Sequence, residues 1–172
     1  MHVSVTNLQR RKIKILAIRK LAKLLLDRSG QRARMAWGEV SVVLVDDRQS
    51  QEVNRNHLGH DYATDVISFN FEPMPGDSES EMNGEVVINV ELACRLGPAY
   101  KGADRELALY LAHGCDHLSG ADDDTPKHRQ QMRRRELRWL KDAKHDGLCD
   151  NLFQRGNKPR QSSPSSAKHP SP

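Results

Sequence analysis

His113-Gly114-Cys115-Asp116-His117-Leu118-Ser119-Gly120-Ala121-Asp122-Asp123 is the stretch on which the reading of this chain turns. Upstream of it, Leu107 and Leu111 fall on one face with Leu118, which predicts a helix from Asp104 to Leu118. Histidines four residues apart on a helix are separated by only about 40° of rotation, so the imidazoles of His113 and His117 can meet at one small cation. Gly120 lets the chain leave the helix through a left-handed backbone conformation. Three residues later Asp123 can return as a third ligand. Asp122 and Asp124 flank it, and only the spacing selects Asp123. Two imidazoles and one carboxylate leave the fourth position of a zinc ion open for water, the mark of a catalytic rather than a closed structural site. One Zn2+ per chain, held by His113, His117 and Asp123, is therefore expected.

The His-x3-His-x2-Gly-x2-Asp spacing resembles the zincin arrangement, in which a glycine turn delivers the third ligand. Zinc proteases of that kind place Glu directly after the first His as general base. Here the position is Gly114, which has no side chain to take a proton. A metal-activated water remains available, but peptidase chemistry is disfavoured.

Working outward, Pro126 suits the first position of a last helix with Thr125 as its cap, running to about Ala143. Toward the N-terminus, Val90 to Leu96 reads as a short helix stopped by Gly97-Pro98, and Glu85 to Asn89 as a strand. Residues 73–83 form a loop rich in Pro, Gly, Ser and acid. Asp65 to Phe71 alternates as a strand, and Val40 to Val45 is a β-branched run. A polar helix begins at Asp46 and Asp47 and extends to about His57. Residues 10–28 carry Ile13, Leu16, Ala17, Leu21, Leu24 and Leu25 at helical spacing, with Gly30 as a stop. The expected architecture is α+β: one compact domain over residues 1–150, a small mixed sheet packed with helices, and a zincin-like His-x3-His helix. Residues 151–172 are expected to be a polar, disordered tail, since beyond Arg155 Ala167 is the sole apolar residue.

The 172 residues suffice for one domain with a true core. No apolar run approaches the roughly 18–20 residues that cross a membrane, and the N-terminal apolar residues are broken by Lys and Arg, unlike a secretory signal. A cytoplasmic location is expected. Cys94, Cys115 and Cys149 are odd in number and irregularly spaced, which argues for reduced thiols, not a disulfide framework. The net charge of +4 is unevenly spread. Residues 1–38 carry ten Lys/Arg against one acid, residues 39–124 five against eighteen, and residues 125–172 twelve against four. An acidic centre between basic ends fits a metal site flanked by polyanion-binding surfaces. Trp37 and Trp139 read as core residues.

The His113–Asp123 stretch is similar, without a gap, to His-Gly-x-Leu-His-Leu-x-Gly-Tyr-Asp-His, the signature of the YbeY family of metal-dependent endoribonucleases and ribosomal RNA maturation factors. Asn54-Arg55-Asn56-His57-Leu58-Gly59-His60-Asp61-Tyr62-Ala63-Thr64-Asp65-Val66-Ile67-Ser68-Phe69 resembles that family's Asn-Arg-x-(Tyr/Phe)-x-x-x-Asp-x-Pro-Thr-Asp-Val-Leu-Ser-Phe block. Gly84-Glu85-Val86-Val87-Ile88-Asn89 resembles Gly-Asp-Ile-x-Ile-Ser. Glu106-Leu107 stands where the family has Glu-Leu, and Met132 with Glu136 matches a Met-x3-Glu in the last helix. The resemblance covers residues 39–140.

Three departures stand out. Asp123 replaces a third His, a change that shifts metal preference toward harder ions. Asp116 occupies an apolar position and is either a support to the metal ligands or solvent-exposed. Leu58 sits where many members carry an Arg implicated in RNA cleavage, and Leu cannot clamp a phosphate. Arg55 and His60 are the candidates to take that role; His57 and His60 either line the cleft or lie on the open surface. Asp65 reads as a cap or a loop-orienting carboxylate.

The resemblance implies a single-strand-specific, zinc-dependent endoribonuclease acting in ribosomal RNA maturation and ribosome quality control. Its partners would be small-subunit ribosomal RNA, the ribosome and ribosomal proteins. The alternatives are a non-catalytic ribosome assembly factor with a structural metal, or another metallohydrolase.

Overall fold

Strand β2 (Ala36–Val45) alternates between two buried faces: Val40, Val42 and Leu44 are inaccessible from one side, and Val45 is covered on the other. It is flanked by β1 (His2–Asn7) and β4 (Glu81–Asn89), both parallel to it, while β3 (Val66–Phe71) pairs antiparallel with β4. The order across the sheet is β1-β2-β4-β3. This is a computed structural model, and it describes residues 1–71 and 81–154. The parallel pairs force crossovers, and helices supply them. Helix α1 (Ile15–Ala33) joins β1 to β2, and α2 (Asp47–Leu58) leads from β2 toward β3. After β4 the chain enters α3 (Val90–Leu96), a single 3-10 turn over Gly97–Ala99, then α4 (Ala103–Leu118) and α5 (Pro126–His145).

Helix α4 is the hub. Leu107, Ala108, Leu111, Ala112, Cys115 and Leu118 are all at most 1% exposed. The helix packs on β3 and β4 below and against α1, α3 and α5 around it. A helix apolar on nearly every side is one enclosed by the fold. On the opposite sheet face, Val45, Ile67 and Val87 form a smaller cluster with Val43, Val53 and Phe69. The α+β reading, with its mixed sheet, is the observed architecture.

Several local expectations match closely. Asp46 caps α2 by accepting from the Gln49 amide, and Gln49 reciprocates, forming a capping box. The Thr125 hydroxyl accepts from the His128 amide at the start of α5. Trp37 and Trp139 are core residues, 4% and 7% exposed.

Other expectations need correction. The first helix begins at Ile15, not residue 10, because Asn7, Gln9 and Arg11 close a side-chain-bonded turn first. Its buried face is Ile18, Leu21, Ala22, Leu25 and Leu26, while Leu16 is 61% exposed. Gly30 does not end it. It is buried within the last turns, where a Cβ would lie 2.9 Å from the Met35 carbonyl oxygen and 3.1 Å from the Trp37 ring nitrogen. The helix ends at Arg34, which itself adopts the left-handed conformation. Strand β1 was not foreseen: two alternating valines amid polar residues give a weak signal, and pairing with β2 supplies the rest. β4 begins at Glu81, so residues 81–83 belong to a strand, not the loop; residues 72–80 lie outside the described residues.

The packed chain also runs past residue 150. Leu152 is fully buried, the Lys14 amide donates to its carbonyl, and Phe153 bridges to Ile13. The tail expected to be polar and disordered lies, from residue 155 onward, outside the described residues.

Candidate metal centre

His113 and His117 occupy successive turns of α4, and their ring centroids are 4.4 Å apart. Gly120, at φ +80°, turns the chain out of the helix, and the Ala121 amide donates back to the Asp116 carbonyl. That reversal carries Asp123 over the helix end. Its carboxylate oxygens lie 4.0 Å from His113 Nε2 and 3.9 Å from His117 Nε2. Among the described residues, His113, His117 and Asp123 are the group of three ligand-type side chains that could hold a metal ion. Asp124 is engaged elsewhere, 2.6 Å from His128 Nδ1, and Asp122 is exposed.

Hydrogen bonds define which nitrogens face the centre. The Ala121 carbonyl can only accept, so His117 donates to it from Nδ1, at 3.0 Å. Glu136, 2% exposed on α5, accepts from His113 Nδ1 at 2.6 Å. Both Nε2 atoms therefore direct lone pairs into the same space, 3.1 Å apart. Two such lone pairs repel unless a cation lies between them. Nitrogens bound at about 2.0–2.1 Å to a tetrahedral zinc lie roughly 3.3–3.4 Å apart, so the donor set fits a metal ion with a small adjustment. Burial opposes protonation of His113, but the hydrogen bond and charge of Glu136 outweigh it, and its pKa sits above the ordinary value.

Gly114 has a packing reason. A Cβ there would lie 2.4 Å from Val86 Cγ1 and 2.7 Å from Val66 Cγ2, so α4 rests directly on the sheet at this point. The Ser68 hydroxyl donates to the Gly114 carbonyl at 3.0 Å, tying β3 to the same turn. The glutamate of the zinc proteases has no room here.

Asp116 is fully buried on the reverse side of α4. Arg135 of α5 grips it with bonds of 2.6–3.0 Å, and Arg32 of α1 approaches to 3.4 Å. Burial pushes its pKa up against the pull of the two guanidinium groups. It is neither a metal support nor exposed, but the ionic junction of three helices.

His113 and Asp123 open onto a cavity of about 470 Å3 bounded by α4, α5 and the segment around Tyr100. Asp65, Glu106 and Tyr110 line it, as do Arg129 and Arg133. Asp65 also caps its own strand, accepting from Thr64 Oγ1 and the Val66 amide. Burial and the charges of Glu106 and Asp65 raise the Tyr110 pKa, which keeps the phenol protonated at neutral pH. Arg55, His57, Leu58 and His60 do not line this cavity. Arg55 pairs with Asp61 at 3.7 Å, His57 meets the Phe69 ring edge, and His60 lies against Tyr62. Leu58 is 52% exposed at the end of α2. Arg129, Arg133 and the orienting Glu136 are the residues that sequence reasoning did not place at the site. The one available signal was a carboxylate at position 136 on the face of α5 that buries Met132 and Trp139.

The chain is thus an α+β domain whose central helix presents a His-x3-His pair beside a carboxylate, a group that could hold a metal ion. The chain belongs to the endoribonuclease YbeY family, hydrolases that act on RNA, whose model matches residues 4–144. It is 38% identical over 145 residues to endoribonuclease YbeY of Pelotomaculum thermopropionicum, an alignment covering 79% of this chain and 93% of the relative. It is 38% identical over 96 residues to the Elusimicrobium minutum protein of that name, covering 55% and 67%. The Anaeromyxobacter protein is 36% identical over 126 residues, and there the alignment spans 63% of the relative's length. The solution structure of TM1509 from Thermotoga maritima shares the fold, with a TM-score of 0.53 at 18% identity over 86% of this chain and 95% of that one.

Proposed function

We propose that this protein is a metal-dependent endoribonuclease that hydrolyses phosphodiester bonds of single-stranded RNA during ribosomal RNA maturation and ribosome quality control. The observation that carries the reading is the convergence of two Nε2 atoms and the Asp123 carboxylate beside a cavity that Arg129 and Arg133 also line. His113, His117 and Asp123 would hold the metal, and two imidazoles with one carboxylate suit zinc. When bound, it supplies Lewis-acid polarisation of a phosphoryl oxygen and a water of lowered pKa.

The remaining work falls to protein groups. Glu136 fixes the His113 ring and raises its basicity, and the Ala121 carbonyl does the same for His117. Arg129 donates to the Asp123 carbonyl at 2.9 Å, steadying the ligand loop. Arg133 forms no hydrogen bond or ion pair with another described residue and is the cation free to meet a phosphate. It stands in for the guanidinium that Leu58 lacks. The protonated Tyr110 phenol offers a hydrogen-bond donor within the cavity. Small-subunit ribosomal RNA in the cytoplasm is the proposed setting, and the endoribonuclease name of the relatives supports RNA as the substrate.

The test is single-turnover cleavage of a single-stranded ribosomal RNA fragment by rigorously purified, zinc-loaded protein beside His113→Ala. Cleavage should depend on His113. Equal rates for the two proteins would replace the nuclease reading with that of a ribosome assembly factor whose metal is structural.

A further inference from the structure

Beyond the metal cavity, a second cavity of about 400 Å3 lies between the same two helices. The two are neighbours. Tyr100, Glu106 and Leu109 line the first where Lys101, Arg105 and Ala108 line the second, and on α5 the lining passes from Arg133 to Leu137. Along α5 the row Arg129, Arg133, Leu137, Lys141 advances by four residues at each step, and Lys144 lies close to its end. Residues four apart share one helix flank. The row therefore forms a strip that begins at the metal ligands and ends in the second cavity.

Two charges elsewhere on α5 are committed, while Lys127, Arg134 and Arg138 are exposed and, like most of the strip, form no hydrogen bond or ion pair with another described residue. Arg135 is spent on Asp116, and Asp142 pairs with Arg28 of α1. Arg133, Lys141 and Lys144, together with Lys101 across the groove, form no hydrogen bond or ion pair with another described residue. Two acids line the second cavity. Asp104 has an oxygen committed to the Leu152 and Phe153 amides, and Asp150 faces four cations: Lys101, Arg105, Lys141 and Lys144. Between the cavities Tyr100 is 53% exposed and Leu137 39% exposed, an aromatic face and an apolar surface among the cations. Cations spaced along a groove, interrupted by an exposed ring, match a nucleic-acid backbone with its unpaired bases.

We propose that the flank of α5 from Arg133 to Lys144 is a track for single-stranded RNA, which carries the phosphates on one side of the scissile bond out of the metal cavity and into the second cavity. The proposal rests on the ribonuclease reading above and adds the path of the strand. From residue 129 to 144 the helix rises about 22 Å, enough for roughly four nucleotides, the short end of single-strand site sizes of about 4–16. Tyr100 takes a base face, and Lys141 and Lys144 each neutralise a phosphate.

The experiment is fluorescence anisotropy with labelled decauridylate and triuridylate on the full-length, zinc-loaded protein, between low and moderate salt. Lys141→Gln/Lys144→Gln is compared with wild type and with Lys20→Gln/Lys23→Gln, which removes equal charge from exposed positions of α1. The track variant should bind decauridylate about tenfold more weakly, with a logarithmic salt slope shallower by about 1.4, or about 0.7 for each lost phosphate contact. Triuridylate, too short to reach from the metal to Lys144, should bind both proteins within about twofold. The α1 variant should lose less than about threefold on decauridylate. All three proteins should melt together, since the substituted lysines are exposed. If wild type binds decauridylate and the track variant matches it in affinity and slope, or loses no more than the α1 variant, the track is wrong while the ribonuclease reading stands. If wild type neither binds decauridylate nor cleaves RNA, the ribonuclease reading fails and takes the track with it.

Discussion

Glu136 Oε1 lies 2.6 Å from His113 Nδ1, joining the buried face of α5 to the metal-facing helix α4. A carboxylate behind a ligating imidazole fixes the ring and its tautomer. Glu136→Gln keeps the shape and removes the charge. It should weaken zinc binding by about 10–100-fold without unfolding the domain, as read by competition with a chromophoric chelator. Wild-type affinity in the variant would show that the contact does not support the ligand.

The ligand set makes a sharper prediction. His113→Ala and His117→Ala should abolish stoichiometric zinc binding, and Asp123→Ala should weaken it. Asp122→Ala and Asp124→Ala should leave it unchanged, because Asp124 is paired with His128 and Asp122 lies outside the cluster. Elemental analysis after reconstitution and gel filtration decides the matter; an effect of Asp124→Ala as large as that of Asp123→Ala would move the third ligand.

Gly114→Ala places a methyl group against Val86 and Val66. Overpacking of this kind costs about 1–3 kcal/mol. Since the strain falls between the two histidines, zinc affinity should drop with stability. Urea denaturation of the zinc-free protein separates the two effects, and an unchanged midpoint would mean that the sheet yields at no cost.

Asp116→Ala leaves Arg135 and Arg32 without their shared anion. Losing one partner of a buried pair costs about 3–5 kcal/mol, but both guanidinium groups retain some solvent contact, so about 2–3 kcal/mol is expected. The same urea measurement checks it, and a loss below about 1 kcal/mol would reduce the junction to an incidental contact.

Thiol chemistry tests the core. Burial pushes the Cys149 thiol up to about 11, and burial raises Cys115 as well. A thiol of pKa about 11 is ionised to roughly one part in a thousand at pH 8, against about a quarter for a free thiol. Cys115 and Cys149 should therefore resist Ellman's reagent until the protein unfolds, with half-buried Cys94 reacting first. The raised pKa also sets a sign. The unfolded thiol ionises first as pH rises, so the stability Cys149 contributes is whole below about pH 8.5 and is lost by about pH 11. Cys149→Ala should flatten the stability profile between those limits; an identical alkaline slope in both proteins would assign that loss to other groups.

What the sequence determined by itself was local. Periodicity and caps are properties of neighbouring residues, so α2, α3, α4 and α5 were legible nearly to the residue, as were His113 and His117 on one helix face. The glycine turn that returns Asp123 was legible for the same reason: the conformation at Gly120 depends on its own missing Cβ. Only the tertiary structure decided what distant segments do together. β1 becomes a strand because β2 offers it a parallel partner, and Gly30 stays helical because Trp37 and Met35 close over it. Glu136 gains its role by packing 23 positions away from His113, and Asp116 becomes a junction because Arg135 and Arg32 arrive from two other helices. Arg55 and His60 share a sequence block with the expected clamp, yet the fold turns them away from the cavity and brings Arg129 and Arg133 in. Burial, charge pairing and shape at a site are sums over residues remote in the chain, and only the folded chain carries out that sum.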